Sequence, residues 1–462
     1  MKPRPSRSAE LARRIAAFRI RDLPPEVVAQ AKLCLLDTAS AMLVAASPRY
    51  SAGRLVMAFT RRLGGRPEAT LVGQGVKTSA VNAALANGTL AYYCDIEPHH
   101  AAAVLHAPAV LVPASLAVGE AERAPGARVL GALVLGIEVA CRVSVALDPT
   151  SLYERGFHPS AVCGAFGAAA AAGHLLRLPA ERQAIALGLA LQQASGLLAW
   201  AEDPTEHSRP LNPGLAARNG VTAAALARLG FGGPPAPFDG RYEAFTAFSG
   251  AGNPEALLAE WGRRFYTAEL AFKRYASCAF THPGLDALLG LAADAQLIAR
   301  DVERIVLHFP KRGAHVIDGH PLKSHNAQYV LPVGLVFGRV TIDDILGDRI
   351  RHPEVARLAA GMTLVHDPAL DAEYPARYPS VIELHTRDGR ILVRRVDAAK
   401  GTPDDPLTPA EVRAKFDALT ATVIPRARAA AIAAAVAGLD RAARVSRLAT
   451  LLRARVGARR PA

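Results

Sequence analysis

The chain has 462 residues, 51% hydrophobic and 21% charged, with 54 Lys plus Arg against 41 Asp plus Glu. That is longer than one hydrophobic core usually serves, so two domains are expected, and the ample apolar content excludes global disorder. The formal charge of +13 suits an anionic partner, yet the basic residues are scattered with no aromatic-interleaved stripe, which sets nucleic acid aside.

Met1-Lys2-Pro3-Arg4-Pro5 leads into an amphipathic helix rather than an apolar signal segment. From Ala9 to about Ala46 apolar residues recur at three- and four-residue steps, and Pro24-Pro25 separates two helices. A short apolar piece, Ala69 to Val72, then runs through Gly73-Gln74-Gly75 into a helix reaching Asn87. With Asp95 some twenty residues on, this imitates a dinucleotide fingerprint. The third glycine position is Thr78, however, and Asp95 does not end a second strand, so a nicotinamide or flavin site is set aside. Helical patterns continue through 108–147, 160–176, 180–200 and 214–229, and the alanine run 168–172 favours close helix packing. Charges interrupt each apolar run before the roughly eighteen residues that a bilayer span needs, so no membrane partner is expected.

Near residue 268 the pattern changes. Val302 to Phe309 reads as a strand, and Ser380–Leu384 and Ile391–Val396 flank Arg387-Asp388-Gly389-Arg390, a hairpin turn. After Pro406 the chain is helical again, through the Ala-rich stretch 427–437 to about Leu452, and the basic tail Arg453, Arg455, Arg459 and Arg460 reads as a solvated end. The expected architecture is mainly α: a large all-helical domain made from both chain ends, 1–267 and 401–462, with a smaller α+β lid domain inserted at 268–400. Cys34, Cys94, Cys141, Cys163 and Cys278 are widely spaced, odd in number and without a CxxC pair. Neither a disulfide framework nor a zinc ribbon is supported, and a cytoplasmic location is expected.

Four segments carry residues that a bland loop does not need. Asn87 to His100 crowds Asp95, Glu97, His99 and His100 between two apolar helices, with His106-Ala107-Pro108 just beyond. Histidine ionises in the range needed for proton transfer near neutral pH. Gly156-Phe157-His158-Pro159 places His158 at a helix N-terminus, whose N–H groups favour anions; the plainer reading is a helix cap. His207-Ser208-Arg209-Pro210 leads into another helix. Lys273-Arg274-Tyr275-Ala276-Ser277-Cys278, followed by His282, places two cations beside a thiol and an imidazole, a set suited to carboxylates.

Taken in order, the Asn87-Gly88 helix with Asp95 and His106, GFHPSAVCGAFGAAAAAG at 156–173, LNPGLAARNGVTAAALARLGF at 211–231 and FKRYASCAFTHPGLDAL at 272–288 resemble the MmgE/PrpD family. Lys400-Gly401-Thr402-Pro403 through Thr408, with Lys415-Phe416, resembles its C-terminal signature. The family includes 2-methylcitrate dehydratase, cis-aconitate decarboxylase and iminodisuccinate epimerase. The resemblance implies a homodimer, a site between the domains, and no metal or organic cofactor. By position it implies Asp95, His106, His158 and His282 as catalytic residues and Lys273 and Cys278 as pocket residues. Two positions depart from the pattern. His99 stands where threonine is frequent. Arg209 stands where lysine is frequent, and a guanidinium holds a carboxylate but does not shuttle protons.

The implied activity is that of a cofactor-independent lyase, a dehydratase or decarboxylase, acting on a small di- or tricarboxylate. His106 and His158 would form the acid/base pair, with Asp95 orienting one of them. Arg209, Lys273 and Arg274 would bind carboxylates, with His99, Cys278 and His282 lining the rest. The alternatives are an epimerase of a dicarboxylate and, in another class, an inactive carboxylate-binding protein. A metal-dependent hydratase using Asp95, His99 and His106 lacks a supporting HxxxH or HxxE pair.

Overall fold

The computed structural model describes residues 6–347, 351–375 and 377–457; Arg459 and Arg460 of the basic tail fall outside them. The fold is mainly helical with a small mixed sheet. At its centre the helix Ser208–Arg228 packs on both Ala80–Tyr93 and Pro159–Leu175, with Ala107–Ala121 and Gly126–Leu147 flanking them. Their contact faces are built from small side chains, so the backbones approach closely. A Cβ added at Gly88 would lie 2.8 Å from Gly214 Cα, and one at Gly220 would lie 2.5 Å from Ala169 N. This approach brings the ends of the three helices together.

Two helices, Pro25–Ala45 and Gly126–Leu147, are long and apolar enough to cross a membrane, contrary to the expectation from interrupting charges. In the fold 72% and 94% of their apolar windows are buried, so packing against other helices accounts for their composition.

The glycine-rich piece is a hairpin turn. Strands β1 (Ala69–Thr70) and β2 (Lys77–Thr78) pair antiparallel, and Gly73 N–H and Gly75 N–H donate to the carbonyls of Leu452 and Arg453. The amides that would cradle a phosphate are spent on the C-terminal helix. Asn87 holds the same hairpin: its side chain accepts from Val72 N–H and donates to the Thr70 carbonyl.

The larger sheet runs β4–β3–β5–β6. β3 (Val302–Pro310) pairs parallel with β4 (Met362–Asp367) and antiparallel with β5 (Ser380–Thr386), which pairs antiparallel with β6 (Ile391–Val396). Alternate β5 residues Ser380, Ile382, Leu384 and Thr386 are buried, and helix His282–Asp294 packs on this strand and on β6. Past the sheet the chain returns to the first helices, with Pro409–Thr420 packed on Pro25–Ala45 and Ser446–Arg453 on β1. The helix expected from 214 begins at Ser208, which puts Arg209 on its first turn rather than in a loop.

Candidate active site

The end of the helix Ala80–Tyr93 with the loop after it, the start of Pro159–Leu175, the short helix Pro149–Glu154, the segment 273–280, the turn after β3 and the segment before β5 enclose a cavity of about 210 Å³. Asp95 lies just past the helix Ala80–Tyr93 in a left-handed conformation (φ 52°), a geometry few residues other than glycine adopt without strain. From the opposite side Lys273 Nζ donates to Asp95 Oδ1 at 2.5 Å and to the Asp95 carbonyl at 3.2 Å. Lys273 also stands 4.0 Å from Glu97. Burial by itself would raise the Asp95 carboxyl, but the cations of Lys273 and Arg209 outweigh it and hold the group well below the usual carboxylate range. A second lysine, the partly buried Lys415, fixes the same loop, donating to the Ile96 carbonyl at 2.7 Å and to Asp37 at 2.8 Å.

His106 and His158 arrive by the same device. Each is the residue immediately before a helix, Ala107–Ala121 and Pro159–Leu175, each is followed within two residues by proline, and neither side chain caps its helix. The plain cap reading of His158 therefore fails. Its Nε2 lies 3.3 Å from Tyr92 Oη, and its Nδ1 lies 3.3 Å from Asn212 Nδ2. The two helix starts are tied together where His106 N–H donates to Ser160 Oγ at 3.0 Å. The Tyr92 ring stands between the histidines, edge-on to His106 at 4.8 Å and tilted at 5.7 Å to His158. His106 Nδ1 is 2.7 Å from Glu97 Oε1, within hydrogen-bonding reach although the ring is turned off the ideal direction. His99 stacks on His106 at 5.5 Å and its Nε2 meets Tyr378 Oη at 3.1 Å.

Burial pushes all three histidines toward the neutral form, His158 down to about 3 with help from His106 and Arg209. For His106, burial and then Lys273 lower the value, and Glu97 opposes them. Burial, reinforced by Asp95, pushes the Cys278 thiol up to about 12, so it is a protonated wall group rather than a nucleophile. Asp95 Oδ2, His99 Nδ1 and Trp200 Nε1 are buried with no hydrogen-bond partner among the described residues.

The cavity thus brings together Asp95, His99, His106, His158, Lys273 and Cys278. Three other expected residues are placed elsewhere. Arg274 follows Lys273 where the chain bends, and its side chain is half exposed, 3.0 Å from Asp286. His282 opens the helix His282–Asp294 behind the wall, packed edge-on to Tyr275 at 5.2 Å with Nε2 at 3.3 Å from the Ser277 carbonyl. Arg209 is fully buried one layer back. It stands 3.6 Å from both Asp95 and Glu206, donates to the Tyr93 carbonyl, and lies 4.8 Å over the Tyr92 ring. Its charge supports Asp95 and Tyr92 from behind the wall.

Sequence reasoning left several wall residues out of the site. Tyr92 and Glu97 sit in a segment that already stood out, and burial between charged partners is what marks them. Phe280 lies within the 272–288 motif but carries no charge or ionisable group to single it out, and Trp200, Arg312, His325, Tyr374 and Tyr378 come from distant segments with no motif around them. Among the described residues no cluster of three or more His, Cys, Asp or Glu side chains is arranged to hold a metal ion.

The chain is 28% identical to the cis-aconitate decarboxylase-like protein oryM of Aspergillus oryzae, over 96% of this chain and 97% of that protein. It is 26% identical to a cis-aconitate decarboxylase of Aspergillus terreus (93% and 92% covered) and 28% identical to the human cis-aconitate decarboxylase (87% and 85% covered). Residues 9–257 match the MmgE/PrpD N-terminal domain and residues 275–441 the MmgE/PrpD C-terminal domain. Matched by both models over most of its length, the chain belongs to the MmgE/PrpD family.

Proposed function

We propose that this enzyme is a lyase acting on a small di- or tricarboxylate, with His106 and His158 moving the proton and no metal or organic cofactor taking part. The observation that carries the reading is the pair of neutral imidazoles flanking Tyr92 in a cavity that also holds Lys273 and Asp95. The relatives' names, cis-aconitate decarboxylase and its like, support the lyase class.

In a decarboxylation the bond from carbon to one carboxylate breaks, CO2 leaves, and the electron pair spreads over the adjacent unsaturated carboxylate until a proton is returned to carbon. In a dehydration a base takes a proton next to a carboxylate and the hydroxyl leaves as water. Either route builds enolate-like charge, which the Lys273 ammonium is placed to stabilise. Neutral His106, with Glu97 behind it, is the base, and His158, in contact with the Tyr92 hydroxyl, handles the proton on the other side. Bound carboxylates add negative charge beside both rings and raise them toward their working range. Asp95 and Arg209 position these groups, and the 268–400 segment serves as the lid.

Incubating the enzyme with a panel of unsaturated and hydroxylated di- and tricarboxylates, followed by NMR and CO2 detection, tests the reading. Loss of CO2 or water from one of them supports it. Stereochemical inversion alone would make the enzyme an epimerase, and tight binding without any turnover would make it a binding protein. The expected homodimer is tested by light scattering after size-exclusion chromatography.

A further inference from the structure

We infer that the substrate is a dicarboxylate bearing an extended apolar substituent, alkyl or aryl, rather than a compact tricarboxylate. This rests on the carboxylate-lyase reading and narrows it.

Charge is the first reason. Among the described residues lining the cavity, the fixed cations are Lys273 and Arg312 and the fixed anions are Asp95 and Glu154. Lys273 is already engaged by Asp95 at 2.5 Å and by Glu97 at 4.0 Å. Arg209, the other nearby cation, lies behind the wall and is shared between Asp95 and Glu206. Of the histidines facing the cavity, His99, His106, His158 and His325 are pushed toward the neutral form by burial. The wall is therefore close to electrically balanced. The fixed cations Lys273 and Arg312 match two carboxylates; a third would be desolvated without a fixed cation of its own.

The second reason is the remaining wall, which is aromatic. On the sheet side Phe280 is grouped with Tyr378 at 4.8 Å and Tyr374 at 5.9 Å, and the Arg312 guanidinium lies 5.7 Å over the Tyr374 ring. On the helix side Trp200 stands 5.7 Å from His158 and 5.4 Å from His325. Phe280, Tyr374 and Tyr153 are only partly buried although they line this cavity, so they leave apolar surface for a ligand to cover. A pocket shaped only for three carboxylates would have no use for that surface. An apolar arm covering it gains about fourfold in affinity per buried methylene.

Trp200 offers a local signal, because the other tryptophan, Trp261, lies under Arg14 and Arg142 away from the cavity. Dissociation constants for succinate, hexylsuccinate, benzylsuccinate and propane-1,2,3-tricarboxylate are measured by tryptophan fluorescence, with calorimetry as a check on the Trp200→Phe variant. The inference predicts that hexylsuccinate or benzylsuccinate binds at least about tenfold more tightly than succinate, and that the tricarboxylate gains nothing over succinate. Phe280→Ala should bring the ratio of hexylsuccinate to succinate affinity down toward one; if that variant does not fold, Phe280→Val with the same ratio as readout replaces it. A tricarboxylate that binds tightest, with no gain from the apolar arm, overturns the inference and leaves the carboxylate reading standing. Failure of all four ligands to bind overturns both.

Discussion

Glu97, with no solvent exposure, holds a carboxylate oxygen 2.7 Å from His106 Nδ1. A carboxylate on Nδ1 favours the imidazole that carries its proton there and leaves Nε2 as the base; it also stabilises the imidazolium once the proton is taken. Glu97→Gln should lower kcat by at least about tenfold, with KM little changed, because orienting carboxylates of this kind act on the transition state. Glu97 opposes the downward pull of burial and Lys273 on His106. Removing its charge lowers His106 further, so the acidic limb of kcat/KM should move to lower pH as the plateau falls. A pH–rate profile checks both effects, and an unchanged limb would show that Glu97 does not act through His106.

His158→Gln should reduce kcat by about 10²–10⁴-fold, the usual worth of general acid–base catalysis. Stability should hardly change, because the imidazole does not cap its helix. In the free enzyme His158 sits at about 3 through burial, so it stays neutral across the working pH range. Binding a dicarboxylate should raise it, and NMR titration of the imidazole with and without succinate measures the shift. Near-normal kcat in the variant would leave His158 as packing.

Arg209 is predicted to be a stability residue before it is a binding residue. It compensates two buried carboxylates, Asp95 and Glu206, each at 3.6 Å. Arg209→Met removes one partner of a buried network and should cost about 3–5 kcal/mol in urea denaturation. Arg209→Lys keeps the charge and should cost less. A methionine variant of normal stability with only a raised KM would return Arg209 to the role of direct carboxylate ligand.

Exhaustive dialysis against a chelator should leave the rate unchanged, because Asp95 is already engaged by Lys273 and, among the described residues, no three His, Cys, Asp or Glu side chains are arranged to hold a metal ion. Loss of activity that one added metal restores would contradict this.

Local patterns were legible in the sequence where the reason for them is local. The Asp388-Gly389 turn marks its hairpin because Gly389 takes φ 86°, and His106 and His158 stand out because each precedes proline at a helix start. Strand β4 escaped notice: it is a short edge strand whose parallel partner, β3, is more than fifty residues away in sequence. Lys273 and Arg274 look equivalent in the sequence, yet the fold buries the first and leaves the second exposed. Arg209 read as a ligand because its charge is visible in sequence; Glu206 stands only three residues before it, but tertiary packing alone brings Asp95 alongside. The aromatic wall is likewise assembled from segments as far apart as Trp200 and Tyr378, which no spacing rule connects.

The most direct test of the acid–base lyase account follows turnover in D2O by NMR and mass spectrometry, for the wild-type enzyme and for a double variant, His106→Gln with His158→Gln. The account predicts that the wild type releases CO2 or water and that carbon-bound solvent deuterium accompanies decarboxylation. It predicts that the double variant still binds the dicarboxylate but neither turns it over nor exchanges its protons. Undiminished turnover or deuterium exchange in the double variant would contradict the account.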